Sequence, residues 1–192
     1  MKAALGRAAA GIIVLSLLVP RMEGALRFKL GLAAGHHPVD DASYRSIYGT
    51  GGLMYGVNAG VRFSKLVEAR AEFDFFEDSG AMTSSGENLA LTLKPQFVAL
   101  RLTPWQAGRF RPFVGAGLGK MSVREKYPER ISDFSGSATL SLVEAGVYFR
   151  IVDHIDLAAE LRWMNAKAAS TAWERDIDLG GFRPCLGITY TF

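Results

Sequence analysis

The sequence has little cysteine, little net charge and no long apolar run, and each shortage excludes something. A single thiol, Cys185, among 192 residues leaves no intramolecular disulfide framework and no cysteine-based zinc site. A formal net charge of +3, from 22 basic and 19 acidic side chains, is too small for electrostatic capture of nucleic acid. No nucleic-acid partner is expected. No apolar stretch approaches the ~20 residues of a membrane-spanning helix, and no solenoid or propeller period repeats. What is present is ordinary in amount: 49% hydrophobic residues, 21 glycines and a length that suits one domain.

The order of the residues is less ordinary. Lys2 and Arg7 precede a run of small and apolar residues, Ala8 to Val19, which Pro20 ends. A charged start followed by a short apolar core is the pattern of a secretory signal peptide. Residues 1–24 are therefore expected to be a leader and residues 25–192 the mature domain. Without that leader 19 basic and 18 acidic side chains remain, so the mature chain is nearly neutral.

From Leu26 onward the chain alternates with period two. Leu26, Phe28, Leu30 and Leu32 share one face, and Arg27, Lys29, Gly31 and Ala33 share the other. The same alternation recurs over 53–64, 67–75, 155–163 and 182–192, and more weakly over 88–102, 111–122 and 137–150. Within 88–102 the apolar set passes from Leu89, Leu91 and Leu93 to Val98, Leu100 and Leu102, which predicts a bulge near Pro95. Eight strands result, each of roughly 9 to 14 residues, where soluble strands average ~5 to 6 and tilted transmembrane strands need ~9 to 11. Connections alternate between long (36–52, 77–87, 123–136, 165–180) and short (64–66, 103–110, 151–154). Long extracellular loops and short periplasmic turns are the signature of an outer-membrane barrel. The predicted fold class is all-β: an eight-stranded antiparallel up-and-down transmembrane β-barrel. A soluble lipocalin-like binder is the alternative at the level of fold.

The polar face carries Arg27, Lys29, Arg62, Arg70, Lys94, Arg150, Arg162 and Arg183 against Glu68, Glu72, Asp74, Glu144, Asp156 and Glu160. In a membrane barrel this face lines the lumen, and eight strands leave an interior just wide enough for side chains. Glycines 31, 56, 60, 115, 117, 119, 146 and 187 share the face and make room for long charged groups. A structural charge network is expected among Arg62, Glu68, Arg70, Glu72, Glu144, Glu160, Arg162 and Arg183. Its predicted pairs are Arg70 with Glu68 or Glu144, and Glu160 with Arg162 or Arg183. Such pairing closes the lumen and speaks against large-conductance channel activity. On the apolar face Phe28, Phe63, Phe149, Tyr190 and Phe192 mark one rim, and Tyr55, Phe73, Trp163 and Phe182 the other.

Three stretches carry a family resemblance. Arg111-Pro112-Phe113-Val114-Gly115-Ala116-Gly117-Leu118-Gly119 resembles a strand of the outer-membrane-protein β-barrel domain family, the small eight-stranded bacterial outer-membrane barrels. Gly146 to Arg150 followed by His154 to Trp163 is similar to its last hairpin. The end, Gly187-Ile188-Thr189-Tyr190-Thr191-Phe192, resembles the C-terminal assembly signal, with Gly187, Tyr190 and Phe192 at the matching positions. The resemblance implies location in the bacterial outer membrane and reading by the barrel-assembly machinery during biogenesis.

The expected function is that of an integral outer-membrane barrel with a structural or surface-interaction role, in membrane integrity, adhesion or resistance. The alternative is a narrow pore or a lateral pathway for small hydrophobic molecules. No enzyme activity and no cofactor are expected. A third reading, lipid A modification, would use His36, His37, Asp78 and Ser79 at the loop ends; the His36-His37 pair as a metal site rests on two adjacent ligands alone. Outer-membrane lipid and lipopolysaccharide are the expected partners; the mixed charge run Arg124 to Arg130 is expected to be a solvated loop, with a contact for lipopolysaccharide phosphates or for a host or phage receptor as the alternative. A monomer is expected.

Overall fold

Alternating side chains place the backbone in strands long enough to run the whole height of a barrel. The computed structural model describes residues 26–39, 41–81, 88–105, 108–126, 133–170 and 175–192; the expected leader over 1–24 lies outside them, as does the segment 127–132. The strands are β1 (Arg27–Pro38), β2 (Gly51–Arg62), β3 (Val67–Ala81), β4 (Asn88–Leu102), β5 (Phe110–Lys126), β6 (Phe134–Val152), β7 (Ile155–Ser170), β8 (Arg175–Asp178) and β9 (Gly181–Thr191). One helix, α1 (Ala42–Tyr48), lies between β1 and β2. Each strand pairs antiparallel with its neighbour, and β9 pairs with both β7 and β1, so the sheet closes on itself. Segments β8 and β9 are two parts of one stave, both paired with β7 and separated at Leu179 and Gly180. The eight expected staves are therefore present.

Registers fix the shape. Paired positions lead from Lys29 through Gly60, Arg70, Ala99, Gly117, Leu142 and Met164 to Gly181. Extended past its last pair, Gly35 with Cys185, the β9–β1 register sets Gly181 level with Val39, ten residues further along the first stave. A stagger of that size tilts the strands strongly against the barrel axis. The turn end is tightly built: Ser64 Oγ accepts the backbone N–H groups of Leu66 and Val67 at 3.1 Å, and Gly108 supplies a left-handed φ of 73°. At the other, loop end, the Asp41 carboxylate caps α1 by accepting the Tyr44 backbone N–H at 3.2 Å.

The β4–β5 ladder displays the organisation of the whole wall. From the turn end, its outward pairs are Leu102 with Val114, Leu100 with Ala116 and Val98 with Leu118. The next outward pairs are Gln96 with Lys120, Lys94 with Ser122 and Thr92 with Arg124. The inward pairs run the opposite way. Arg101 and Gly115 come first, then Ala99 with Gly117 and Phe97 with Gly119, and above them Pro95 with Met121 and Leu93 with Val123. The strand never slips. The bulge predicted near Pro95 is absent, because β4 keeps one register with β5 throughout and the same register with β3 on both sides of an unpaired step at Lys94 and Pro95. What changes near Pro95 is polarity, not facing. Lys94, expected in the lumen, consequently faces outward and is exposed.

Below that level the barrel is apolar outside and charged inside; above it, polar outside and apolar inside. The apolar outer belt includes Leu30, Leu32, Val57, Val98, Val143 and Ile188, each at least 45% exposed. Aromatic contacts mark its rims, with Phe110–Phe149 and Tyr190–Phe192 at the turn end and Tyr55–Phe75 and Trp163–Phe182 toward the loop end. Such a belt between aromatic rims suits a bilayer. The packed apolar interior above it is built from Met54, Phe76, Leu93, Met121, Leu140 and Met164 with their neighbours, all essentially without exposed surface.

Candidate functional site

The lower lumen gathers seven buried cations (Lys29, Arg62, Arg70, Arg101, Arg111, Arg162 and Arg183) and six buried acids (Glu68, Glu72, Asp74, Glu144, Asp156 and Glu160). Register makes room for them. Gly56 stands opposite Asp74, Gly60 opposite Arg70, Gly115 opposite both Arg101 and Glu144, and Gly146 opposite Glu160. A Cβ at Gly56 would collide with the Asp74 carboxylate. The glycine-rich polar face is thus the complement of the charges it faces.

Glu160 is the centre of the network. Its carboxylate accepts from Arg70 at 3.1 Å, from Arg101 at 2.8 Å and from Arg162 at 2.7 Å. Arg101 also grips Glu144 in a two-pronged contact at 2.6 and 2.7 Å, and its guanidinium lies 4.2 Å from the centre of the Phe113 ring. Arg162 holds Glu72 with two N–H groups at 2.6 and 3.2 Å, and Arg70 pairs with the same carboxylate. Nearer the turn end, Glu68 binds Lys29 at 2.5 Å and Arg62 at 3.3 Å and accepts the Tyr148 hydroxyl at 3.2 Å. Arg111 pairs with Asp156. Toward the apolar half, Arg183 donates to Asp74 at 2.6 Å. Paired, forked contacts of this kind are the arrangement in which buried charge is tolerated.

All eight residues expected in the network lie in this lumen, and all are buried. Of the expected pairs, Glu160–Arg162 is present; Arg70 chooses Glu72 and Glu160 in place of Glu68 and Glu144, and Arg183 chooses Asp74. Arg101 and Arg111 lie outside the expected polar-face set, and Tyr148, on the same face as Glu144 and Gly146 by alternation, lies outside the expected network. Arg101 was findable from its place between Leu100 and Leu102, since outward neighbours two apart put the middle residue inside.

The loop end is capped. Helix α1 sets Tyr44 and Tyr48 against the apolar interior, with partly buried Ile47 beside them. The Tyr44 hydroxyl donates to Asp78 at 2.7 Å, and the Tyr48 hydroxyl donates to Glu125. Burial and the Asp78 contact hold the Tyr44 phenol well above its ordinary pKa. Neighbouring His36 and His37 point to opposite faces of β1, with His36 exposed and His37 fully buried edge-on to Phe76 at 5.4 Å. Two ligands on opposite faces of a strand cannot share one ion. Asp78 is engaged by Tyr44, whereas Ser79 faces outward, so these groups form no catalytic cluster.

Gly187, Tyr190 and Phe192, expected as an assembly signal, lie on the closing stave. Gly187 faces the lumen against Ala33, Tyr190 stacks with His154 at 5.9 Å, and the Phe192 backbone N–H donates to the Phe28 carbonyl at 2.9 Å. Cys185 is a buried free thiol beside Gly35.

The sequence matches the family described as outer membrane protein beta-barrel domain over residues 8–182. No curated protein sequence matches the chain. Among solved structures, Neisserial surface protein A is similar with a TM-score of 0.65 at 16% identity, covering 86% of this chain and 97% of that one. The outer membrane protein OprG of Pseudomonas aeruginosa gives 0.60 at 14% identity, covering 88% and 96%. The attachment invasion locus protein Ail of Yersinia pestis, in complex with the heparin analogue sucrose octasulfate, gives 0.52 at 12% identity, covering 88% and 100%. At these identities the likeness is one of fold.

Proposed function

The chain belongs to the outer membrane protein beta-barrel domain family, and from that premise we propose a closed barrel of the bacterial outer membrane with a structural and surface-interaction role. The observation that carries this reading is the filling of the interior from end to end. An ionic network occupies the lower half, a close-packed apolar core the upper half, and α1 covers the top. Among the described residues such a filled interior leaves little room for water and ions, which supports a role other than conduction. Strands β3 to β7 instead continue beyond the apolar belt and lift a stiff, sheet-backed surface out of the bilayer. A rigid platform of that kind serves adhesion, envelope integrity or resistance by presenting loops at a fixed height. On this reading residues 1–24 direct export, and the last stave carries the assembly signal.

A second reading, lateral movement of a small hydrophobic molecule, has one observation in its favour. Pairing between β1 and β9 stops at Gly35 and Cys185, where Pro184 has no N–H to give. Planar-bilayer recordings and liposome uptake of an apolar dye separate the two. The structural reading expects neither steady conductance nor uptake above protein-free controls. Uptake that a disulfide across the β1–β9 seam abolishes would replace it with the lateral one.

A further inference from the structure

Beyond the apolar belt, the outer face of the β4–β5 ladder carries three neighbouring cations. Lys94 stands opposite Ser122, so Lys120 and Arg124 are its two diagonal neighbours, ~7–8 Å away along the same face. All three are exposed, and Lys126 follows one outward position further on. Neither Lys94 nor Lys120 has an ion-pair partner among the described residues; the Lys94 ammonium lies 5.3 Å from the centre of the Phe75 ring. Arg124 holds Asp133 at 2.8 Å in an exposed pair, and a second acid, Glu77, stands diagonal to Lys94 across β3. The cluster stays net positive.

A second, independent feature runs straight into it. An open apolar groove of about 630 Å³ on the outer wall passes between Val57, Phe73, Val98 and Leu118 and ends on Gln96 and Lys120. Its floor is formed where Ala59 and Ala71 face each other across β2 and β3, two small residues between large ones. Lys120 therefore joins the cation cluster to the groove, at the level where the apolar belt gives way to polar outward residues.

We propose that this face binds a phosphorylated acyl lipid of the outer leaflet, its phosphate held by Lys94, Lys120 and Arg124 and one acyl chain laid in the groove. The inference rests on the outer-membrane orientation given above, with the loop end outward. Lysine and arginine stems lie along apolar wall while their heads reach the interface, and each supplies a charge-assisted hydrogen bond to phosphate. A free anion would have no use for the groove, and an unphosphorylated lipid none for the cations.

The test is native mass spectrometry of the folded full chain released from detergent with bis-phosphorylated lipid A, dephosphorylated lipid A or inorganic phosphate. Wild type is expected to retain the phosphorylated lipid. The double variant Lys94→Ala, Lys120→Ala is expected to retain roughly tenfold less, having lost two charge-assisted contacts. Ala71→Phe, which fills the groove, should weaken retention several-fold without touching a charge. Equal retention of the dephosphorylated lipid, unchanged retention by the double variant, or full displacement by inorganic phosphate would each overturn the proposal. Heat-modifiable migration of every variant reports an intact barrel, and conductance tests the closed-barrel reading separately, so the two can fail independently.

Discussion

The two halves of this barrel are built on opposite rules. Near the turn end, lipid faces the apolar side chains and the charges close on one another inside. Near the loop end, water faces Thr92, Lys94, Lys120 and Arg124, while Phe76, Leu93, Met121 and Leu140 pack inside as they would in a soluble protein. The same β4 and β5 serve both regimes without a change of register. Period-two alternation fixes only which side chains share a side; the surrounding solvent decides which side is apolar. The lower half obtains its order from directional ion pairs whose desolvation is costly, the upper half from non-directional packing.

Mutations that strike one half at a time sharpen this contrast. The largest effect is expected for Glu160→Gln. It removes the negative charge shared by Arg70, Arg101 and Arg162 and leaves seven buried cations against five acids, a loss of about 3–5 kcal/mol. The unboiled, compact band on gels should then convert at a lower temperature, and unchanged heat resistance would dismiss the network as a structural element. Leu140→Ala, in the apolar half, should cost about 3 kcal/mol through the cavity it leaves, read as a lower urea midpoint in lipid vesicles. If both halves unfold together in urea, the two variants should lower one shared transition.

Tyr44→Phe should cost about 1.5 kcal/mol by deleting the donor to Asp78, and hydrogen exchange in α1 should rise while the strands stay protected. The folded-state pKa of Tyr44 lies above its unfolded value, so the native cap binds this proton more tightly. Its contribution is complete below about pH 10, the ordinary tyrosine value, and declines as pH rises above it. Exchange in α1 that fails to quicken above that pH would remove the Tyr44–Asp78 contact as the clasp. The smallest effect is expected where the upper rule is extended downward. Replacing Asp74 and Arg183 together by leucine and methionine, at the edge of the apolar core, should leave stability within about 1 kcal/mol, because a buried pair and an apolar substitute are often equivalent. A large loss there would mean that the lower rule reaches higher than the side chains suggest.

Much of this was legible in the sequence. The outward faces of β1, β2, β7 and β9 follow directly from Leu30, Val57, Leu161 and Ile188 and their partners two residues away. The lumen acids followed from the same alternation, and the glycines pointed to a crowded interior. The pairing of those charges was not legible, since Arg70 can reach several acids and only the stagger of the barrel decides. Nor was the inversion on β4: Leu89, Leu91 and Leu93 look like a slipped strand to anyone assuming one solvent outside, when the strand has simply left the bilayer. Helix α1 was missed although Asp41 precedes Tyr44, Ile47 and Tyr48 at helical spacing, because the segment is a single short element among strands.

Closure of the wall by β9 against β1 has a kinetic consequence. The pairs from Lys29–Thr191 to Gly35–Cys185 join the most distant parts of the chain, so the entropy of closing the whole barrel opposes their early formation. Until then β1 presents an unpaired edge with Phe28, Leu30 and Leu32 along it, the very template on which chains aggregate. The step that finishes the cylinder is therefore also the one that removes this exposed edge.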